Sequence, residues 1–201
     1  MNININNILK SDIIPPSGYL SSRLLVATPL INSPAFNRSV ILMCAHDSEG
    51  AMGIIINRVI ENIAYKDIFQ QLSIAPDQEI SSMPVHYGGP VEMNRGFIIY
   101  DHDEFPHPET MLTVNNIAVS CSVSILREIA EGKGPSHCLL ALGYTGWAAG
   151  QLEAEMEANS WISVPATTEL VFQAGNSDKW KLAAQSNGID ISRVTGYAGH
   201  A

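Results

Sequence analysis

Unbroken apolar stretches alternate along this chain with short polar interruptions and with segments of helical period, the rhythm of a mixed α/β domain. Tyr19 to Ala27, Ser39 to His46 and Ala51 to Asn57 are β-type segments rich in Ile, Val and Leu. Asp47-Ser48-Glu49-Gly50, between the last two, is turn chemistry of hairpin length with Gly50 free to take a positive φ, so a hairpin is predicted there. Ala64, Ile68 and Leu72 fall at i, i+4 and i+8 beside Tyr65 and Phe69, which predicts a helix stopping before Pro76. Val85 to Tyr87 and Gly96 to Tyr100 read as short strands around Gly88-Gly89-Pro90, and Asp101 to Glu109 as a loop broken by Pro106 and Pro108.

Farther on, Val123, Leu126 and Ala130 mark a second helix, ended by Gly132 and Gly134-Pro135. Cys138 to Tyr144 is a buried-type strand running into the Gly-rich segment Gly143 to Gly150. A third helix follows over Gln151 to Asn159, with Leu152 and Met156 inward and Glu153 and Glu157 outward. Trp161 to Val164 and Glu169 to Phe172 are predicted as late strands, and Ser177-Asp178 as the cap of a last helix carrying Trp180 and Leu182 to Ala184. Residues 1–17 are polar, end in Pro15-Pro16-Ser17 and lack periodicity, so they read as a flexible N-terminal arm before one domain over 18–201.

Composition fits that plan. With 201 residues, 46% hydrophobic and only 15% charged, the chain has enough apolar side chain for a full core without metal or disulfide staples. The formal net charge of −9 argues against direct nucleic-acid binding and against an anionic membrane surface. Of the basic residues only Lys179 and Lys181 lie within two positions of each other, so a basic face exists only if folding gathers Arg38, Arg58 and Arg95. Cys44, Cys121 and Cys138 are an odd number at long spacings, which suggests neither a disulfide framework nor a zinc site and fits a reducing compartment. Cys44 and Cys138 sit in apolar stretches and are expected to be inert buried thiols. The N-terminus has no signal-peptide pattern and no apolar run approaches a membrane span, so a cytoplasmic location is expected.

Candidate chemistry is sparse. Gly143, Gly146 and Gly150 are spaced three and four apart, which fails the dinucleotide pattern, and no Lys follows for a phosphate loop. Glu153, Glu155 and Glu157 in the helix behind the glycines would repel a phosphate. Gly143-Tyr144-Thr145-Gly146-Trp147 misses a nucleophile elbow at two positions. Asp101-His102-Asp103-Glu104-Phe105-Pro106-His107 brings carboxylates and imidazoles together, but at spacings of neither a zinc helix nor a calcium loop, and no metal is assigned. His46, His86, His137 and His200 read as satisfied or surface polar residues. Gln151 and Glu155, four apart on one helical face beside Trp147, are the best candidate functional pair. A competing structural role for Glu155 is an internal ion pair with Arg38 or Arg95.

Phe36-Asn37-Arg38-Ser39-Val40-Ile41-Leu42, Gly50-Ala51-Met52-Gly53-Ile54-Ile55-Ile56-Asn57-Arg58, Gly88-Gly89-Pro90-Val91 and Leu142-Gly143-Tyr144-Thr145-Gly146-Trp147 stand in an order that resembles the bacterial AlgH/YqgE family. Gln151-Leu152-Glu153-Ala154-Glu155, Asn159-Ser160-Trp161 and the terminal Ala198-Gly199-His200-Ala201 extend the resemblance over residues 18–201. It implies a mixed α+β single domain whose sheet bifurcates and curls into a pseudo-barrel with about four flanking helices. A regulatory role in transcription is attached by name to one branch of that family. The family pattern falls here on Arg38, Asn57, Gly88, Gly89, Pro90, Tyr144, Trp147, Gln151, Glu155 and Trp161, so Pro90 apart these are the candidate binding residues, with no catalytic residue and no cofactor assigned. Two functions follow as expectations: a non-enzymatic regulator acting through an unknown protein or small-molecule partner, or a hydrolase or transferase with a polar cleft at Gln151 and Glu155 and Arg38 as an electrostatic group. Direct DNA binding is a third, and it requires a contiguous basic face.

Overall fold

The computed structural model describes residues 20–75, 80 and 82–191; the expected arm at 1–17 and the terminal Ala198-Gly199-His200-Ala201 lie outside them. The strands are β1 (Arg23–Ala27), β2 (Val40–Asp47), β3 (Gly50–Ile55), β4 (Val59–Ala64), β5 (Pro84–Tyr87), β6 (Val91–Asp101), β7 (Leu112–Val114), β8 (Ile117–Ser120), β9 (Cys138–Ala148) and β10 (Trp161–Pro165). The helices are α1 (Tyr65–Gln71), α2 (Val123–Ala130), α3 (Gln151–Glu157) and α4 (Lys179–Ser186), with a π-helical turn at Glu169–Gln173. They join in one sheet of order β10-β1-β2-β3-β9-β6-β8-β7, with β5 on β9 and β4 outside β5.

The sheet forks at β9. Its C-terminal half pairs antiparallel with β3, Gly53 facing Thr145 and Gly50 facing Ala148. Its N-terminal half pairs parallel with β5, Val85 facing Leu140. β6 takes the opposite side of β9 from Cys138 to Tyr144. Leu24, Val26, Leu42 and Ile54 from one arm share a buried cluster with Phe97, Ile99, Ile117 and Val119 from the other, so the sheet curls round its own core into a half-barrel. Period-two alternation sends their neighbours Leu25, Ile41, Met43 and Ile55 to the opposite face, where α3 covers them through Leu152. Because α4 covers the first face through Ala183 and Ala184, β1 and β2 are buried on both sides and read as continuous apolar runs. A third cluster joins Tyr65 and Phe69 of α1 and Ile125 and Ile129 of α2 to Ile98, Tyr100 and Leu140.

Several expectations are corrected. Glu169 to Phe172 is not a strand but part of the π-helical turn, because Val171 N–H and Ala174 N–H bond back to Thr167 and Glu169 carbonyls instead of to a neighbouring strand. The strand predicted over Cys138 to Tyr144 is longer: β9 runs on through the Gly-rich segment to Ala148, and only residues 149–150 turn, with Gly150 at φ 73°. Asp178 does hold the cap position of α4, but its side chain makes no capping bond.

Candidate functional site

The nine candidate binding residues fall into three groups. The first gathers around α3. Trp147 reaches this face from β9 and Trp161 from the start of β10, their rings meeting edge to face at 6.0 Å. Both indoles donate to one oxygen of Glu155, Trp147 Nε1 at 2.9 Å and Trp161 Nε1 at 2.8 Å. Gln151 Nε2, one helical turn back, donates to the other oxygen at 2.9 Å, while Gln151 Oε1 accepts Ala148 N–H at 3.1 Å. The carboxylate is therefore satisfied by three neutral N–H groups, not by the expected arginine. Arg38 lies over the Trp180 ring instead, and Arg95 reaches Glu92 at 3.4 Å and lies over Phe97. Next to this group Leu20 N–H donates to His46 Nδ1 at 3.0 Å, which fixes the neutral tautomer whose Nε2–H donates to Glu153 at 3.0 Å.

The second group sits at the fork. Gly88 N–H bonds Leu142 O and its carbonyl accepts Ile55 N–H, both at 2.8 Å, stitching β5 to both arms. A Cβ at Gly88 would lie 2.1 Å from the Gly143 carbonyl oxygen. Gly89, at φ +153°, would place one 2.2 Å from the Tyr144 backbone. Only hydrogen fits where two backbones come this close. Tyr144 is buried here with its ring edge on Phe97 at 6.1 Å, and burial, followed by the Glu92 charge, pushes its hydroxyl pKa up. Thr145, next in β9, is also buried, so it has no exposure as a nucleophile.

The third group is the corner before β2. Asn57 fixes it: its Oδ1 accepts Val40 N–H at 2.8 Å and its Nδ2 donates to the Arg38 carbonyl at 2.9 Å. Arg38 takes a left-handed φ of 55°, uncommon for a residue with a side chain, and its guanidinium lies 5.4 Å above the Trp180 ring centre. Trp180 Nε1 in turn donates to Ala27 O at 2.7 Å. Arg58 donates to the carbonyls of Pro34 and Asn37 in the same loop. Beneath the corner Lys179, 1% exposed, donates to Val171 O at 2.6 Å and Ile56 O at 3.2 Å, and burial lowers its pKa to about 8. His86 Nε2 donates to Asn176 Oδ1 at 3.3 Å, and burial lowers the imidazole pKa. Trp180, Lys179, Arg58 and His46 were not among the sequence candidates. A Trp and a Lys opening a short polar helix were the available signal for two of them.

Other chemistry resolves into local pairs. In the acidic loop His107 faces Glu128 at 3.3 Å and Asn116 donates to Asp103 at 2.6 Å, so its groups turn to different neighbours. Among the described residues no three His, Cys, Asp or Glu side chains converge as a metal site would require. Glu104 Oε2 accepts from Ser136 and lies 3.4 Å from His137 Nδ1, the same ring nitrogen that Ser136 faces at 3.2 Å. A catalytic triad would use opposite ring nitrogens. Burial pushes Cys44 up to about 12 and Cys138 to about 11, so both thiols stay protonated. His137 is exposed, and His200 lies outside the described residues. No helix among the described residues is long and apolar enough to cross a membrane.

Comparison with known proteins decides the family. A family model described as AlgH-like matches residues 24–192. This chain belongs to the AlgH-like family. A UPF0301 protein of Rhodospirillum rubrum is 43% identical over 184 residues, covering 92% of this chain and 95% of that one. Another, from Methylocella silvestris, is 41% identical over 190 residues, covering 91% and 92%. The solution structure of the AlgH protein from Pseudomonas aeruginosa superposes with a TM-score of 0.74 at 34% identity, covering 95% of this chain and all of that one. A crystal structure from Corynebacterium diphtheriae shares the fold, with a TM-score of 0.69 at 21% identity. The AlgH-like match spans all three groups of candidate residues, and the curled, forked sheet is the fold this chain shares with those structures.

Proposed function

We propose that this AlgH-like protein is a non-catalytic, cytoplasmic binding protein that acts in regulation through a protein or small-molecule partner. One observation carries the reading. The carboxylate best placed by sequence to act as an acid or base, Glu155, has both oxygens engaged by Trp147, Trp161 and Gln151. A general base needs a lone pair aimed at substrate, whereas this one joins β9, α3 and β10. The net charge of −9 supports a route to transcription through a partner and not through DNA contact.

The test is Glu155→Gln, which discharges the carboxylate while leaving one oxygen for both indoles. Expressed in cells deprived of the protein, the variant is expected to restore the wild-type phenotype to the extent that it remains folded. Loss of phenotype with an unchanged melting temperature would show that the carboxylate does chemistry, and the hydrolase or transferase reading would replace this one.

A further inference from the structure

The corner before β2 sets an exposed arginine over an aromatic ring. Arg38 is exposed, yet it is fixed twice: its carbonyl is held by Asn57 in a strained left-handed turn, and its guanidinium lies over the Trp180 ring, 5.4 Å from its centre. Strain at an exposed arginine is a cost that a replaceable surface residue would shed. A guanidinium held over an aromatic ring at an exposed position keeps N–H donors that can receive a carboxylate in a forked pair. Arg58 is anchored in the same loop, Lys181 is exposed immediately after Trp180, and the Lys179 ammonium lies beneath. Among the described residues no carboxylate lies within ion-pair distance of Arg38, Arg58 or Lys181. Folding thus brings Arg38 and Arg58 of the three candidate arginines to one corner, while Arg95 lies over Phe97 beside Glu92.

Exposed Asp178, at the cap of α4, is the one carboxylate on the helix end that carries Trp180; much of the remaining acidic surplus lies elsewhere. Asp47, Glu49 and Glu153 cluster at the far end of β2, an eight-residue strand of about 25 Å at roughly 3.3 Å per residue. That exceeds a Debye length of about 8 Å, so a short anionic segment meets the local charge and not the whole field. A long polyanion lying across the molecule would meet both. Trp180 adds a half-buried aromatic surface beside the cations, the mixture of aromatic and arginine found at the energetic centres of protein interfaces.

We infer that the corner formed by Arg38, Trp180 and Arg58 is the docking surface for an acidic segment of a partner protein, with Arg38 receiving one of its carboxylates. This inference rests on the binding-protein reading and gives the partner its chemistry. The probe is a synthetic glutamate-rich amphipathic peptide, titrated into the isotope-labelled full-length protein while the Arg38 guanidinium and Trp180 indole N–H resonances are followed. Both are expected to shift with the acidic peptide and not with its glutamine counterpart. Arg38→Ala should weaken binding about tenfold, and Lys181→Glu, at a side chain outside the packing, should weaken it as well. No response to the acidic peptide, equal response to the glutamine peptide, or unchanged affinity in both variants would overturn the proposal. So would tighter, Arg38-dependent binding of a duplex oligonucleotide. Failure here leaves the binding-protein reading to be decided by Glu155→Gln alone, so the two fail separately.

Discussion

Glu155 and Lys179 pose the same electrostatic problem on opposite faces of the sheet, and the fold solves it at very different depths. Each charge is held by neutral dipoles in place of an opposite charge: two indoles and an amide for the carboxylate, two backbone carbonyls for the ammonium. Glu155 keeps partial contact with water, whereas Lys179 is sealed beneath the aliphatic core and burial lowers its pKa to about 8. Hydrogen bonds offset part of the desolvation at both sites, and contact with water offsets more of it at Glu155 than at buried Lys179. The α3 site is thus a stable joint, while the α4 corner stands on an ion that burial disfavours.

Removing the joint is the severest test of this contrast. Trp161→Ala should cost about 3–5 kcal/mol, because it deletes a buried ring that packs on Trp147 and Phe36 together with a donor to Glu155. A chemical denaturation curve measures it. A cost under about 1 kcal/mol would show that the aromatic cluster does not bear on stability.

Titration tests the other site. A folded-state pKa of about 8, below the ordinary 10.5, means that between those values the unfolded chain binds more protons, so Lys179 makes stability rise with pH across that window. The full contribution is about 3 kcal/mol. Cys44 and Cys138 oppose it from pH 9 upward, since their buried thiols stay protonated while those of the unfolded chain ionise. Wild-type stability is therefore expected to climb from pH 8, peak near pH 9 and then fall. In Lys179→Met the climb should vanish and only the fall remain, a difference read from denaturation midpoints across pH. Parallel curves for the two proteins would refute the buried ammonium.

Glu155→Gln should be milder, about 1–2 kcal/mol by thermal or chemical unfolding, because its amide oxygen still serves both indoles while the Gln151 contact must rearrange and the bonds lose their charge assistance. A loss as large as that of Trp161→Ala would mean that the charge itself, not the aromatic packing, secures α3.

The same contrast shows what could be read from the sequence. The β2–β3 hairpin was legible because Asp-Ser-Glu-Gly carries its own turn chemistry, and α2 because Val123, Leu126 and Ala130 keep helical period. Edge strand β4 was not, since Glu61 and Asn62 interrupt it and its pairing to β5 shifts between Val59 and Ala64. Strands β7 and β8 have three and four residues around Asn115-Asn116, too little for a periodic signal. At the joint, Trp147, Gln151 and Glu155 are close in sequence and could be grouped by spacing. The corner assembles Arg38, Asn57, Lys179 and Trp180 from distant segments, and only the curl of the sheet brings them together.

The finest division of the comparison concerns Arg38, where two small effects can be separated. Arg38→Ala loses the stacking on Trp180, worth about 0.5–1 kcal/mol at an exposed site, but keeps the left-handed backbone. Arg38→Gly loses the same stacking and also relieves the backbone, because a glycine at φ 55° has no Cβ to crowd the carbonyl. The glycine variant should therefore be more stable than the alanine variant by about 1 kcal/mol and lie close to wild type. If alanine proves as stable as glycine, the turn is not strained, and the argument that Arg38 is kept there for a partner loses its energetic half.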